Sequence, residues 1–332
     1  MKTREWNAGT LMELSGSYWE TCALHAAVKL DVFTAIGKNS LTAGDLAQKI
    51  RADKRALGML LNALSAMKLL AKAGKTYTAG KEALEFLSRD SDRYIGFMIQ
   101  HHRDLMPAWA RLDEAVAKGA PLRERASFED AERREHFLMG MFNIAINLAP
   151  KIVPDIDLSG RKRLLDFGGG PGTYAIQFCL HNPGLKASIY DLPTSRPFAE
   201  KTVARFGVSD RVDFIGGNYL EDSVPDGFDA AWLSQILHSE NPDGCRKIIR
   251  KAAGAVESGG TVMIHEFILD DAMDGPLHPA LFSLNMLLGT DAGQAYSGEQ
   301  IAGMMESEGI RDIRRLELPG AHNSGVIQGT VS

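Results

Sequence analysis

The spacing of hydrophobic and polar positions changes near Arg163, about halfway along the 332-residue chain. Before this point apolar residues recur every three to four positions, which is the period of an amphipathic helix. The elements predicted there are a helix over Tyr18–Val32, a short helix N-capped by Ser40 or Thr42, a helix over Lys54–Leu69 and a hairpin around Gly74. Three helices followed by a β-hairpin predict a mainly helical winged-helix domain over residues 1–96.

From Arg163 onward, short apolar strands alternate with amphipathic helices. Strands are predicted at Arg163–Phe167, Ala187–Tyr190, Arg211–Ile215, Phe228–Leu233 and Thr261–Phe267, and helices at Thr173–His181, Pro197–Phe206 and Pro242–Val256. This alternation predicts an α/β fold with a Rossmann-like, mostly parallel sheet covered on both faces. An antiparallel hairpin, Ile313–Leu318 with Val326–Thr330, is expected to close the sheet. A helical linker over 97–150 joins this core, 151–332, to the first domain.

Composition and charge narrow the class of protein. Hydrophobic residues make up 45% of the chain and the formal net charge is −5, whereas proteins that bind nucleic acid or anionic lipid usually have a basic excess. Cys22, Cys179 and Cys245 are far apart and are predicted to be reduced core thiols. We expect a cytoplasmic protein, because no secretory signal is present and the apolar stretch Phe137–Pro150 is shorter than the roughly 20 residues that cross a bilayer.

A glycine-rich turn, Asp166-Phe167-Gly168-Gly169-Gly170-Pro171-Gly172, follows the first strand of the predicted sheet. Such glycines let a ligand approach the backbone, and ligands of open α/β sheets bind at the carboxyl ends of the strands. Thr173 breaks the dinucleotide spacing that starts at Gly168, and the Gly-Lys-Ser/Thr of a P-loop is missing. Asp166 would repel a pyrophosphate and attract an ammonium. The turn therefore favours S-adenosylmethionine, which has an ammonium and a sulfonium but no phosphate.

Two further strand ends support the same ligand. Asp191, followed by Leu192, lies about 20 residues after the turn, where a carboxylate can bind ribose hydroxyls. Gly217, Asn218 and Tyr219 follow the third strand, with Asn218 suited to the adenine edge and Tyr219 to its face. Ordinary loop chemistry can explain any one of these residues. Their occurrence at three successive strand ends predicts a cofactor site.

These residues resemble the class I methyltransferases, in particular the small-molecule O-methyltransferases related to caffeic acid and hydroxyindole O-methyltransferases. The similarity begins at Tyr18 and continues through Met106-Pro107-Ala108-Trp109 to the cofactor motifs. It implies S-adenosylmethionine as methyl donor, S-adenosylhomocysteine as product and a small-molecule acceptor. It also implies a homodimer formed by the winged-helix domain, with Tyr18 reaching toward the partner's acceptor pocket. No metal is expected, because His101-His102 has no other ligand-type residues at metal spacing.

The resemblance also implies catalytic residues. In that family the general base is a histidine in a Leu-His-Asp-Trp-x-x-x-x-Cys pattern after the fourth strand. This chain matches the pattern at His238 and Cys245, and Ser239 and Glu240 replace the Asp-Trp. Glu266 matches the family's acid after the fifth strand and is the residue expected to orient His238.

Three positions depart from the family pattern. Ala295 stands where a second acid is expected, Asn218 where aspartate is common, and Ser234, a cofactor position, where plant members often have lysine. The acceptor pocket is predicted to contain Tyr18, Met106, Trp109, Met139, Phe142, Asn143, Phe282, Asn285 and Met286. Since methionine adapts to flat apolar shapes, this set favours a flat aromatic acceptor.

Two alternatives are compatible with these residues. One is methylation at carbon or nitrogen, or loss of methyl transfer, in which His238 would matter less. The other is a winged-helix regulator that binds S-adenosylmethionine and DNA. The second is disfavoured because the helix Lys54–Leu69 carries only Lys54, Arg55 and Lys68 as cations.

Overall fold

The computed structural model describes residues 5–125, 130–318 and 324–332. The chain divides into two compact units, Met1–Leu105 and Met106–Ser332, and each has its own hydrophobic core. The first unit contains α1 (Ala8–Gly16), α2 (Tyr18–Lys29), α3 (Val32–Ile36), β1 (Leu41–Thr42), α4 (Ala43–Ile50), α5 (Lys54–Ala66), β2 (Leu70–Ala73), β3 (Thr76–Ala79) and α6 (Lys81–Leu87). The division falls within α7 (Gly96–Trp109).

The first unit has the predicted winged-helix arrangement. Its strands form an antiparallel sheet in the order β1-β3-β2, and Gly74, with φ of +57°, lies in the turn of the hairpin. Thr42 caps α4, since its side chain accepts a hydrogen bond from the backbone of Asp45. The core includes Phe33 and Leu61, both fully buried. The fold class predicted for this half is confirmed.

Two details of the first unit differ from the predictions. The helix predicted over Tyr18–Val32 is broken, because Asp31 has a φ of +56° and α3 starts at Val32. Aspartate tolerates this left-handed conformation, and the change of direction leaves Val32 and Phe33 fully buried. Cys22 is exposed on α2 and is not a core thiol, whereas Cys179 and Cys245 are buried as expected.

The second unit is an α/β domain with short 3₁₀ turns at Val153–Asp155, Pro193–Ser195 and Leu237–Ser239. Its elements are α8 (Leu112–Lys118), α9 (Ala131–Ile152), β4 (Arg163–Phe167), α10 (Thr173–His181), β5 (Lys186–Asp191), α11 (Arg196–Arg205), β6 (Val212–Gly216), β7 (Phe228–Ser234), α12 (Pro242–Ala255), β8 (Val256–Glu266), β9 (Ile268–Leu269), α13 (Leu277–Gly289), β10 (Tyr296–Ser297), α14 (Gly298–Ser307), β11 (Ile310–Leu316) and β12 (Gly325–Val331).

A seven-stranded sheet in the order β11-β12-β8-β7-β4-β5-β6 forms the centre of this unit. The strands from β4 to β8 pair in parallel, and β12 pairs antiparallel with both β8 and β11. The predicted mostly parallel sheet with an antiparallel closing hairpin is therefore confirmed. Strand β8 begins at Val256, five residues earlier than predicted, and β11 ends at Leu316. Residues 319–323 of the predicted connecting turn lie outside the described residues.

Alternate residues of the central strands pack on opposite faces of the sheet, as burial of both faces requires. Leu164 and Trp232 belong to the core that includes α10, and Leu165 and Leu233 to the core that includes α12. By length and composition, Ala131–Asp155 is the one helical segment of the described residues that could cross a membrane. Core helices of water-soluble proteins also meet that test, and the C-terminal part of this segment packs in the core with α10.

Candidate active site

The glycine-rich turn connects β4 to α10 at the carboxyl edge of the sheet. Gly168, Gly170 and Gly172 have φ values of +70°, +52° and +76°, in the region that favours glycine. A Cβ atom on Gly168 would lie 2.6 Å from Ile236 Cγ2, and one on Gly172 would lie 2.2 Å from Ile189 Cδ1. The positions of Gly168 and Gly172 therefore favour glycine both for backbone conformation and for space, whereas that of Gly170 favours it for backbone conformation alone.

Asp166 is almost fully buried at the end of β4. Its Oδ2 accepts a hydrogen bond from the backbone N–H of Ala175 at 3.1 Å, and its Oδ1 has no hydrogen-bond partner within the described residues. Burial raises the pKa of Asp166 to about 7, and the negative charge of Asp191 adds to the rise. An unpartnered buried carboxylate oxygen suits a cationic ligand, which would favour the ionised form.

Asp191 links the end of β5 to the glycine-rich turn. Its Oδ2 accepts from the Gly170 N–H at 2.8 Å, and its Oδ1 accepts from the Leu192 N–H and the Ser195 hydroxyl at 2.7 Å each. Burial raises the pKa of Asp191, and these hydrogen bonds oppose the rise. A carboxylate has about four acceptor sites, so capacity remains for a sugar hydroxyl. Asp191, Leu192 and Gly170 were predicted from the sequence as cofactor-site residues, whereas Ser195, which contacts Asp191, was not.

The third strand end joins the other two. The Gly217 N–H donates to the Asp191 carbonyl oxygen at 2.9 Å. Asn218 is half-buried, and its Oδ1 accepts from the backbone N–H two residues further on. The Tyr219 ring is also half-buried and lies 6.2 Å from the Phe167 ring, against the core. The structure thus brings together the three strand ends on which the cofactor prediction depends, while the individual contacts to adenine stay predictions.

Ser234, at the end of β7, is the first of three polar side chains that contact one another in a row. Its Oγ lies 2.8 Å from His265 Nδ1, and His265 Nε2 lies 2.8 Å from Ser324 Oγ. The His265 ring stacks on Trp232, and burial lowers the pKa of His265 to about 4. His265 is therefore neutral at pH 7 and is buried against Trp232, on the opposite face of β8 from Glu266, because neighbouring side chains of a strand alternate.

His238 and Glu266 form a buried pair at adjacent strand ends. His238 Nδ1 lies 2.8 Å from Glu266 Oε2, and the Leu237 N–H donates to Glu266 Oε1 at 2.8 Å. Because a carboxylate only accepts hydrogen bonds, Nδ1 carries the proton and Nε2 has the lone pair. Nε2 makes no hydrogen bond within the part of the chain that the structure describes. The Phe282 ring meets the imidazole edge-on, with ring centroids 4.7 Å apart.

The turn that carries His238 is fixed by its neighbours. The Cys245 thiol donates to the Leu237 carbonyl oxygen at 3.1 Å, which explains a cysteine at this position. A Cβ atom on Gly293 would lie 2.4 Å from the His238 carbonyl oxygen, so Gly293 permits a close approach that the sequence did not reveal. Ala295 is fully buried and contributes no acid. Glu266 is thus the acid that contacts His238.

The predicted acceptor-pocket residues fall into several groups. Phe282 contacts His238, and the Trp109 indole N–H donates to Asn285 Oδ1 at 3.3 Å. Phe142 packs against the Phe206 ring, and Leu138, four residues earlier on α9, faces Gly170 and was not predicted. Met106 and Met139 are half-buried, Asn143 and Met286 are buried, and Tyr18 lies in the first unit with 53% of its surface exposed. Membership of the pocket stays a prediction for all of these residues.

Comparison with protein families gives two matches that cover most of the chain. Residues 112–311 match the O-methyltransferase domain, and residues 12–89 match the O-methyltransferase dimerisation domain. Within the described residues, no group of three or more His, Cys, Asp or Glu side chains could hold a metal ion.

Individual relatives are similar over nearly their whole length. The chain is 33% identical to 3-hydroxy-5-methyl-1-naphthoate 3-O-methyltransferase of Streptomyces sahachiroi, covering 96% of this chain and 94% of the relative. It is 28% identical to the N,N-dimethyltransferase OxyT of Streptomyces rimosus, covering 93% and 92%. The solved structure "PigF with SAH", of a Serratia protein, superposes with a TM-score of 0.90 at 25% identity, covering 98% and 100%.

Proposed function

The chain belongs to the O-methyltransferase family, and we propose that it methylates a hydroxyl group of a small aromatic or polycyclic molecule, with S-adenosylmethionine as donor. The observation that carries the proposal is the pair His238–Glu266, which leaves a histidine nitrogen with a free lone pair. A hydroxyl acceptor must lose a proton when it is methylated, so a fixed base is needed. The pair therefore favours oxygen over carbon as the methylated atom.

The strand ends fit S-adenosylmethionine, which when bound supplies an electrophilic methyl group on a sulfonium and becomes the neutral thioether S-adenosylhomocysteine. Asp166 would bind the ammonium, because its buried Oδ1 has no partner among the described residues. Asp191 would accept the ribose hydroxyls, and Asn218 and Tyr219 would contact the adenine. The remaining residues proposed to surround the cofactor are Gly168, Gly170, Leu192, Gly217 and Ser234.

His238 acts on the acceptor. Its Nε2 takes the proton of the acceptor hydroxyl as the oxygen is methylated, and later releases that proton to solvent. A phenol has a pKa of about 10 and histidine about 6.5, so complete transfer before methylation would cost roughly 4.8 kcal/mol. Proton transfer that is concerted with methylation avoids this cost. Glu266 holds Nδ1 protonated, so that Nε2 is the nitrogen that accepts.

A screen of acceptors tests the proposed function. Purified protein is incubated with S-adenosylmethionine carrying a deuterated methyl group and a panel of hydroxylated naphthoates, indoles and polycyclic phenols. The panel includes 3-hydroxy-5-methyl-1-naphthoate. We expect a gain of one labelled methyl on oxygen, identified by mass and by the NMR shift of the new methoxy group. Aromatic amines belong in the same panel, because OxyT is a relative. Label on nitrogen or carbon alone would replace the oxygen assignment.

We propose in addition that the protein is a homodimer formed through its N-terminal unit. The support is the dimerisation-domain match together with exposed apolar side chains at and before α2, namely Trp6, Leu11, Met12, Leu14, Tyr18 and Trp19. So many exposed apolar side chains in one short segment support packing of that segment against a partner. That Tyr18 reaches the partner's acceptor pocket remains part of this proposal.

Light scattering at micromolar concentration should report twice the 36.2 kDa chain mass. Trp19→Glu should shift the protein toward monomer, because it places a charge among these exposed apolar side chains. Val116→Glu is the matched control, since Val116 is similarly exposed but belongs to the second unit. A monomeric wild-type protein, or equal behaviour of the two variants, would remove this interface.

The pKa of Asp166 predicts how cofactor affinity depends on pH. Burial raises this pKa to about 7 in the free protein, and a bound ammonium should lower it. Binding below pH 7 must then release the proton of Asp166. We expect the dissociation constant of S-adenosylhomocysteine to rise by up to about tenfold per pH unit below 7 and to level off above 8.

Calorimetry in two buffers of different ionisation enthalpy should detect this release as up to one proton per site near pH 6. Asp166→Asn should bind more weakly at pH 8 and lose the pH dependence, because the amide does not titrate. A wild-type dissociation constant that is the same at pH 6 and pH 8 would contradict the proposed contact between Asp166 and the ammonium.

A further inference from the structure

An ion pair holds the turn that carries His238. Arg125 Nη1 lies 2.5 Å from Glu240 Oε1, and Arg125 Nη2 donates to the Ser239 carbonyl oxygen at 3.0 Å. The Glu240 side chain is 10% exposed and that of Arg125 is 27% exposed. Ser239 and Glu240 are the two residues that replace the Asp-Trp of the resembled family pattern. The contact therefore involves the part of the motif in which this chain departs from the pattern.

The geometry of the contact restricts the backbone. A guanidinium is planar and presents its N–H groups in a fixed fork, so two acceptors bound to it cannot move independently. One acceptor here is a side chain and the other is the carbonyl of the preceding residue. Arg125 thereby fixes both Ser239 and Glu240, the two residues that follow His238.

Other contacts complete the restraint of this turn. On the N-terminal side of His238, the Leu237 N–H is held by Glu266 and the Leu237 carbonyl by Cys245. On the C-terminal side, the Tyr296 hydroxyl donates to the Glu240 carbonyl oxygen at 2.5 Å. The ion pair between Arg125 and Glu240 is the second contact that holds the C-terminal side of the turn.

We propose that Arg125 and Glu240 are positioning residues for the general base. They fix the backbone after His238 so that Nε2 keeps its direction toward the acceptor while Nδ1 remains on Glu266. Neither residue contacts the reacting atoms in this role. The inference rests on the proposed function of His238, because it assigns to the pair an effect exerted through that residue. An ångström of misplacement at a reacting group can cost about a hundredfold in rate, so the restraint has a measurable consequence.

The kinetic test compares Glu240→Gln and Arg125→Lys with Asp243→Asn, a control that removes an exposed carboxylate paired with Arg246 on α12. At pH 7 we expect kcat to fall about 10- to 100-fold in Glu240→Gln, with KM for both substrates within about threefold of wild type. Arg125→Lys should lose less, because one ammonium can still bind one of the two acceptors. Asp243→Asn should match wild type.

Two kinetic results separate positioning of the base from a general structural role. Above the pKa of a phenolic acceptor no base is needed, so kcat of Glu240→Gln should approach the wild-type value there. In a His238→Ala background, Glu240→Gln should cause little further loss, because both changes act through one group. The proposal would be overturned if kcat of Glu240→Gln stayed low at high pH. It would also be overturned if Glu240→Gln lowered kcat by the same factor in the His238→Ala background as in wild type.

An NMR measurement needs no acceptor. The His238 Nδ1 proton bound to Glu266 should give a downfield resonance, assigned by its absence in His238→Ala. We expect the resonance in wild type and Asp243→Asn, and its broadening or loss in Glu240→Gln at a temperature where all variants are folded. An unchanged resonance in Glu240→Gln would contradict the role of the pair. If wild type methylates none of the panel, the proposed function fails, whereas this experiment still decides whether the pair orders the turn.

Discussion

His238→Ala should lower kcat at pH 7 by about 10²–10⁴, the usual contribution of a positioned general base. The affinity for S-adenosylhomocysteine should stay close to wild type, because the cofactor is assigned to Asp166, Asp191 and the residues after β6. The loss should shrink as pH rises through the pKa of a phenolic acceptor, which then ionises without help. The measurement is kcat against pH with the best acceptor from the screen, beside calorimetry with S-adenosylhomocysteine.

Glu266→Gln is the matched variant for this experiment. The amide oxygen can still accept from the Leu237 N–H, but its NH₂ group then faces His238 Nδ1. That contact favours the tautomer with the proton on Nε2, which cannot accept another proton. We therefore expect a loss of kcat at pH 7 that approaches the loss in His238→Ala. Near wild-type turnover of His238→Ala at pH 7 would contradict the base assignment and favour methylation at nitrogen or carbon.

The carboxyl edge of the sheet could be predicted because its information is local. Each buried strand is a short apolar run, and Asp166, Asp191 and Gly217 each come directly after or at the end of one. In a parallel sheet such ends meet at one edge whatever the remaining packing. In this structure, hydrogen bonds from the Gly170 and Gly217 N–H groups to Asp191 join the three strand ends. The order of the strands within the sheet was not predicted, because the pattern locates each strand but not its neighbours.

Features that depend on tertiary packing were not predictable in the same way. The apolar period continues through Asp31, so the sequence predicts one helix, whereas burial of Val32 and Phe33 requires the chain to turn. Cysteine counts as an apolar residue, which suggested a core position, but Cys22 lies on an exposed face of α2. On α9, Leu138 and Phe142 occupy the same helical face, and only packing shows which of them approaches the glycine-rich turn.

The turn that carries His238 shows the same limit of prediction from sequence. His238 and Cys245 match a short motif, so the sequence could identify them. Arg125 lies 115 positions from Glu240 and follows no motif, so their contact depends on the assembled fold. Similarly, Gly293 would be indistinguishable from an ordinary loop glycine without the position of the His238 carbonyl.

The second large effect is expected at the cofactor site, where Asp191→Ala should weaken binding of S-adenosylhomocysteine by about 1.5–3 kcal/mol. This range corresponds to roughly 10- to 150-fold in the dissociation constant. The carboxylate is assigned to the ribose hydroxyls, and it also holds the Gly170 N–H and the Ser195 hydroxyl. Alanine removes both contributions, so the ligand contact is lost and the glycine-rich turn is less well fixed.

A second variant at Asp191 separates the ligand contact from the effect on the turn, and a variant at Asp213 is the control. Asp191→Asn keeps one carbonyl oxygen for the turn but loses an acceptor, so it should bind with intermediate affinity. Asp213→Asn removes an exposed carboxylate from the neighbouring strand β6 and should bind like wild type. Calorimetry at pH 8, where Asp166 is mostly ionised, measures the three affinities, and thermal unfolding checks that each variant is folded. Because the ribose contact is specific to Asp191, equal dissociation constants for Asp191→Ala and Asp213→Asn would show that the nucleoside binds elsewhere.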